Sequence, residues 1–103
     1  MAAADVFYAI SGANRRRLID LLATGDKPVQ ELAAEFDITF AAVSQHLAVL
    51  RDAGLVRSYA RGRHRVYRLQ PHALRVVDDW IARYRSFWKS RLTRLRAHLD
   101  EKP

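Results

Sequence analysis

The sequence contains no cysteine, which excludes disulfides, thiolate metal sites and thiol redox sensing. It has no apolar run near the roughly 20 residues that a membrane-spanning helix needs. Its opening "MAAAD" lacks the basic start and apolar core of a signal peptide. A soluble cytoplasmic protein is therefore expected, with no membrane partner. Glycine and proline are scarce, at four and three, and no linker, repeat or low-complexity tract breaks the chain. Paired carboxylates, a nucleophile with an adjacent base and a Gly-rich phosphate loop are all missing. An enzyme is not expected, and no catalytic residue or cofactor is assigned. The 103 residues suit one domain, 1–103. A domain this small buries only about 60–70% of its unfolded surface, so a second copy is a natural source of further burial.

What is present is positive charge, unevenly placed. The net charge is +7. Residues 1–54 hold five basic and seven acidic side chains. Residues 55–70 hold Arg57, Arg61, Arg63, Arg65 and Arg68 and no acid. Residues 71–103 hold eight basic and four acidic side chains. A mildly acidic half joined to a basic ribbon implies a polyanion docking on one side. Arginine outnumbers lysine 15 to 3, a compositional hint of a GC-rich bacterial genome.

Periodicity and punctuation predict the order α-α-α-α-β-β-α, mainly helical with one hairpin. "DVFYAIS" reads as a short helix with Val6, Phe7 and Ile10 on its apolar side. "ANRRRLIDLLATG" reads as a second, with Leu18, Ile19, Leu21 and Leu22 inward and Gly25 at its end. Lys27 and Pro28 start a third, "VQELAAEF", with Val29, Leu32 and Phe36 at helical spacing. Thr39 is a suitable N-cap for a fourth helix running to Ala53, and Gly54 a natural stop. "LVRSYA" and "RHRVYRL" flank "RG" as a hairpin with Gly62 at its tip. Tyr67 and Leu69 should reach the core, while His64, Val66 and Arg68 point the other way.

On a helical wheel Val43, Leu47 and Leu50 cluster on one side of the fourth helix, with His46 and Ala53 on its flank. Ala41, Ser44, Gln45 and Ala48 lie opposite. A helix pinned by one face and showing a slim, uncharged, hydrogen-bonding edge suits a DNA major groove about 12 Å wide. The third helix and "FDIT" supply the rest of a helix-turn-helix. The arginine hairpin then becomes a wing reaching phosphates or a minor groove.

Residues Val6 to Leu69 resemble the ArsR/SmtB family of winged-helix bacterial repressors. "VFYAISGANRRRLIDLLATG" is similar to that family's opening helices, "VQELAAEFDITFAAVSQHLAVLRDAGLV" to its helix-turn-helix, with "VSQHLAVLRDAGLV" the most telling run, and "RGRHRVYRL" to its wing. The resemblance implies a homodimeric repressor on an operator, with Thr39, Phe40, Ala41, Ser44 and Gln45 at the positions that contact bases. Phe40 and Ala41 stand where polar readers are common. Two readings of Phe40 stay open, a thymine-methyl contact and a packing residue. Gln45 is the main candidate for a direct base contact, with adenine its usual partner. Arg61, Arg63, His64 and Arg65 form the wing's part of the interface.

The resemblance also implies where metal would bind, and the residues do not supply it. Ala33 and Glu35 stand at the family's thiolate positions. On the last helix Asp78 is followed by Asp79 and Trp80 rather than by a spaced histidine. His98 and Glu101 match a second ligand pair, but two ligands do not make a zinc site. No metal is expected. His46 is expected to bond a backbone carbonyl.

Pro71 opens a long final helix with apolar residues Leu74, Val77, Ile81, Tyr84, Trp88, Leu92, Leu95 and Leu99. From Pro71 to Leu99 it would run about 40 Å, whereas a domain of this size has a radius of gyration of about 13 Å. It should overhang its own body. A second copy packed on the first and last helices is the natural cover, with Val6, Phe7, Ile10, Leu74, Val77, Ile81, Tyr84, Trp88 and Leu92 at the interface and 71–99 as the dimerisation helix. The operator should then be a pseudo-palindrome. Trp80, Tyr84, Phe87 and Trp88 are read as dimer core, with a pocket for an unidentified apolar effector as the alternative. A winged-helix protein or RNA adaptor is the rival function.

Overall fold

The structure is a computed structural model that describes residues 5–100. The "MAAA" start and Glu101 lie outside the described residues.

Asp5 begins the first helix by accepting the Phe7 amide on its carboxylate at 2.9 Å, and α1 runs Val6–Ser11. Helix α2, Ala13–Leu22, buries Leu18, Ile19 and Leu22 and leaves Leu21 half-buried. The next segment departs from expectation. Lys27 and Pro28 do not start a helix; they form a short strand, β1, antiparallel to the hairpin. Pro28 keeps an extended backbone (φ −68°, ψ 153°) as the cap of α3, Val29–Ala33. A proline donates no amide hydrogen bond, and an edge strand tolerates that. Helix α3 also ends sooner than predicted, so Phe36 packs on the core from the loop that follows.

Helix α4 spans Phe40–Asp52, with the Thr39 hydroxyl accepting the Ala42 amide at 3.0 Å. Its end is a Schellman closure. The Gly54 amide donates to Arg51 O at 2.9 Å and the Leu55 amide to Leu50 O at 2.9 Å. Gly54 takes φ +79° there, a conformation costly to a side chain. Gln70 braces the same corner through its amide to Leu55 O and its side chain to Gly54 O.

Strands β2 (Val56–Arg61) and β3 (His64–Leu69) form the hairpin, and Arg61 pairs with His64 across the Gly62–Arg63 turn. Gly62 has φ +61°, which the first position of a two-residue turn can demand. The sheet order is β1-β3-β2, so the hairpin is two-thirds of a three-stranded sheet. Tyr67 lies in the core cluster and Leu69 packs against it, as expected. Val66 points away from that core yet is 2% exposed, because β1 lies beside it with Pro28 as its partner.

The core joins Ala9, Leu18, Leu32, Val43, Leu47, Leu50, Leu55 and Val56, each 0–1% exposed. A 3-10 turn, Pro71–Leu74, precedes the last helix, so Pro71 does not open it directly. Helix α5 then runs Arg75–Asp100 with no buried residue. The molecule measures 66 × 34 × 22 Å, with a radius of gyration of 18.6 Å.

Candidate nucleic-acid interface

Helix α4 is held by one side only. Val43, Leu47 and Leu50 are fully buried, whereas Ala41 and Gln45 are exposed and Ser44 and Ala48 half-buried. Phe40 is 54% exposed, so its ring lies on the surface rather than in the core. Thr39 is exposed while its hydroxyl caps the helix. The five residues singled out here lie at the cap and in the first two turns of α4, with no charged side chain among them.

His46 does not bond a backbone carbonyl. Its Nδ1 lies 3.2 Å from Nη1 of Arg15, a nearly buried arginine on α2. A guanidinium only donates, so Nδ1 accepts and the imidazole is neutral. Burial, and then the Arg15 charge, push the His46 pKa below its ordinary value. The same Arg15 donates from Nε to Ala9 O at 2.7 Å and from Nη2 to Tyr8 O at 3.1 Å. Arg16 donates to Ile10 O at 2.7 Å. These bonds satisfy carbonyls at the end of α1, where the Ser11 hydroxyl also donates to Tyr8 O.

The wing presents Arg61, Arg63, His64 and Arg65, all exposed. His64 Nδ1 lies 3.4 Å from Nε2 of Gln30, which ties the tip to α3. Arg65 donates to the Ser58 hydroxyl at 3.4 Å. On the opposite face Tyr59, Arg61 and Arg68 gather around Asp26. The Tyr59 hydroxyl donates to Asp26 Oδ2 at 2.7 Å, and Arg68 donates to the same oxygen from Nε and Nη2, both at 3.0 Å. Arg61 Nη2 donates to the Tyr59 hydroxyl at 3.1 Å. The hydrogen bond from Tyr59, and after it Arg68, hold the Asp26 carboxyl below the usual range against a partial desolvation; the same bond raises the Tyr59 phenol.

Sequence reading missed Asp26, Tyr59 and Arg15. The ribbon has no acid of its own, but the sheet brings it one. Lys27 pairs with Tyr67, so Asp26 falls next to Arg68. That neighbour was legible only once β1 was recognised as a strand.

The residues assigned to the dimer interface divide in two. Val6, Ile10 and Leu74 pack against the chain's own core, and Phe7, Val77 and Ile81 are half-buried. Phe7 meets Trp80 edge-on with ring centroids 5.6 Å apart. Beyond that contact Tyr84, Trp88 and Leu92 are 44%, 52% and 65% exposed. No helix among the described residues is long and apolar enough to cross a membrane.

Comparison with known proteins agrees with this geometry. A family model described as bacterial regulatory protein, arsR family, matches residues 13–58. The chain is 31% identical over 80 residues to the transcriptional repressor SdpR of Bacillus subtilis, covering 78% of this chain and 89% of that protein. It is 38% identical over 87 residues to the HTH-type transcriptional regulator Rv2034 of Mycobacterium tuberculosis, covering 84% and 78%. The crystal structure of an ArsR family transcriptional regulator superposes with a TM-score of 0.72 at 30% identity, covering 82% of this chain and 87% of that one.

Proposed function

The chain belongs to the arsR family of bacterial regulatory proteins, which are DNA-binding transcriptional regulators and not enzymes, and from that premise we propose that it is a homodimeric repressor of a pseudo-palindromic operator. The carrying observation is the division of α4, with Val43, Leu47 and Leu50 fully buried opposite an exposed, uncharged edge ending in Gln45. In this reading Gln45 and Ser44 meet base edges, Thr39, Phe40 and Ala41 approach at the helix start, and Arg61, Arg63, His64 and Arg65 grip the backbone.

The dimer supplies the spacing. Residues 1–103 act as one DNA-binding domain, and α5 acts as its dimerisation helix. Its 26 residues extend about 39 Å at 1.5 Å each, and its apolar row from Tyr84 to Leu99 is more than two-fifths exposed at each of its residues. A two-fold partner laid along that row covers it and sets two α4 helices for successive major grooves, about 34–36 Å apart. Trp80, Tyr84, Phe87 and Trp88 then form aromatic dimer core. A protein of this kind works in the cytoplasm on the nucleoid. Repression is the reading favoured by the relative named as a repressor.

The experiment is footprinting on the DNA upstream of the protein's own gene, since repressors commonly act on their own promoters. A protected two-fold-related site, competed away by duplex DNA and not by RNA, is expected. Competition by RNA alone would favour an RNA adaptor, and binding to neither nucleic acid a protein adaptor.

A further inference from the structure

An arginine at a hairpin tip samples many rotamers, and ordering it on DNA has an entropic cost. Arg61 already has contacts that restrict its rotamers. Its guanidinium lies 5.6 Å from the Tyr59 ring centroid and donates to the Tyr59 hydroxyl. A phenol has one proton to give. Tyr59 gives its proton to Asp26, so its lone pairs face Arg61. Asp26 lies in the loop between α2 and β1, outside the hairpin, and Arg68 neutralises it from the far side. The hairpin tip is thereby tied to the body through a relay of Asp26, Tyr59 and Arg61. Arg61 spends one donor on this relay and keeps its others.

We propose that Asp26 is the positioning residue of the wing, holding Arg61 through the Tyr59 hydroxyl in the pose that meets a DNA phosphate. The inference rests on the DNA-binding reading above and adds a residue of the wrong charge to it. An acid near a polyanion site ordinarily weakens binding. Here its removal has the opposite sign from that simple rule, because the ordered arginine is lost with it.

The test is fluorescence anisotropy with two duplexes of equal length, the upstream region of the gene and a scramble, at several salt concentrations. The variants are Tyr59→Phe, Asp26→Ala, Arg61→Gln and the double variant Tyr59→Phe/Arg61→Gln. Tyr59→Phe changes no charge and keeps the ring. It should weaken both duplexes by about three- to tenfold, the size of one hydrogen bond's contribution. Asp26→Ala should weaken them as well, despite the gain in positive charge. The double variant should bind no worse than Arg61→Gln alone, because both substitutions break one relay. A merely structural role for Tyr59 would instead give additive losses. Wild-type binding by Tyr59→Phe, tighter binding by Asp26→Ala, or additive losses would each overturn the positioning role while Arg61→Gln still weakens DNA. Wild-type binding by Arg61→Gln would remove Arg61 from the interface and the positioning role with it.

Discussion

Arg15 of α2 and His46 of α4 share a hydrogen bond of 3.2 Å between Nη1 and Nδ1, which joins the end of α1 to the inner flank of the helix proposed to read DNA. Because the arginine can only donate, this contact exists with a neutral imidazole. Protonating His46 sets two cations against each other.

That bond has a pH signature. The folded chain holds the His46 pKa below 6.5, while the unfolded chain takes up its proton at about 6.5. The contribution to stability is therefore intact above that value and declines as the pH falls below it. Urea unfolding should show a midpoint that drops between about pH 7 and pH 5 in the wild type. A His46→Asn variant should flatten that drop. An equally steep decline in the variant would assign the pH dependence elsewhere.

Gly12 makes room for the same arginine. A Cβ added there would lie 2.7 Å from Arg15 Cζ and 2.8 Å from Nη2. Gly12 has φ −87°, which any residue adopts, so the backbone itself does not forbid alanine there. Here Gly12→Ala should destabilise, by roughly 1–3 kcal/mol, through displacement of a buried hydrogen-bonded side chain. In an Arg15→Ala background most of that loss should vanish. Denaturant titration of the four proteins measures the cycle.

The last helix predicts an assembly. Leu92 is 65% exposed in the single chain and sits on the row assigned to the partner. Sedimentation equilibrium should give twice the chain mass for the wild type. Leu92→Glu should shift the equilibrium toward one chain mass while circular dichroism keeps the helical signal. A variant that remains dimeric would move the interface off this row.

Much of the fold was legible because each level of the sequence agreed with the next. Thr39, the burial period Val43–Leu47–Leu50 and Gly54 fix α4 between a cap, a core face and a left-handed stop. Gly62 and the alternation around Tyr67 fix the hairpin. What was not legible depends on contacts distant in sequence. A two-residue strand such as Lys27–Pro28 carries no period of its own and is defined by its partner β3. Arg15 stands in a run of three arginines, and local pattern does not distinguish the one that turns inward. Tyr59 and Asp26 are 33 residues apart and meet through sheet register. The seam of the last helix was legible as a pattern, though Leu74, Val77 and Ile81 are half-buried in their own chain while the row from Tyr84 onward is exposed.

Sequence reading by α4 is tested most directly by the affinity ratio between the protected upstream duplex and a scramble, measured for wild type and Gln45→Ala at one salt concentration. A lost base contact should cost roughly 1–3 kcal/mol on the protected site and almost nothing on the scramble. The ratio should therefore collapse while binding to the scramble persists. A Gln45→Ala protein with the wild-type ratio would contradict the assignment of this helix edge as the reader.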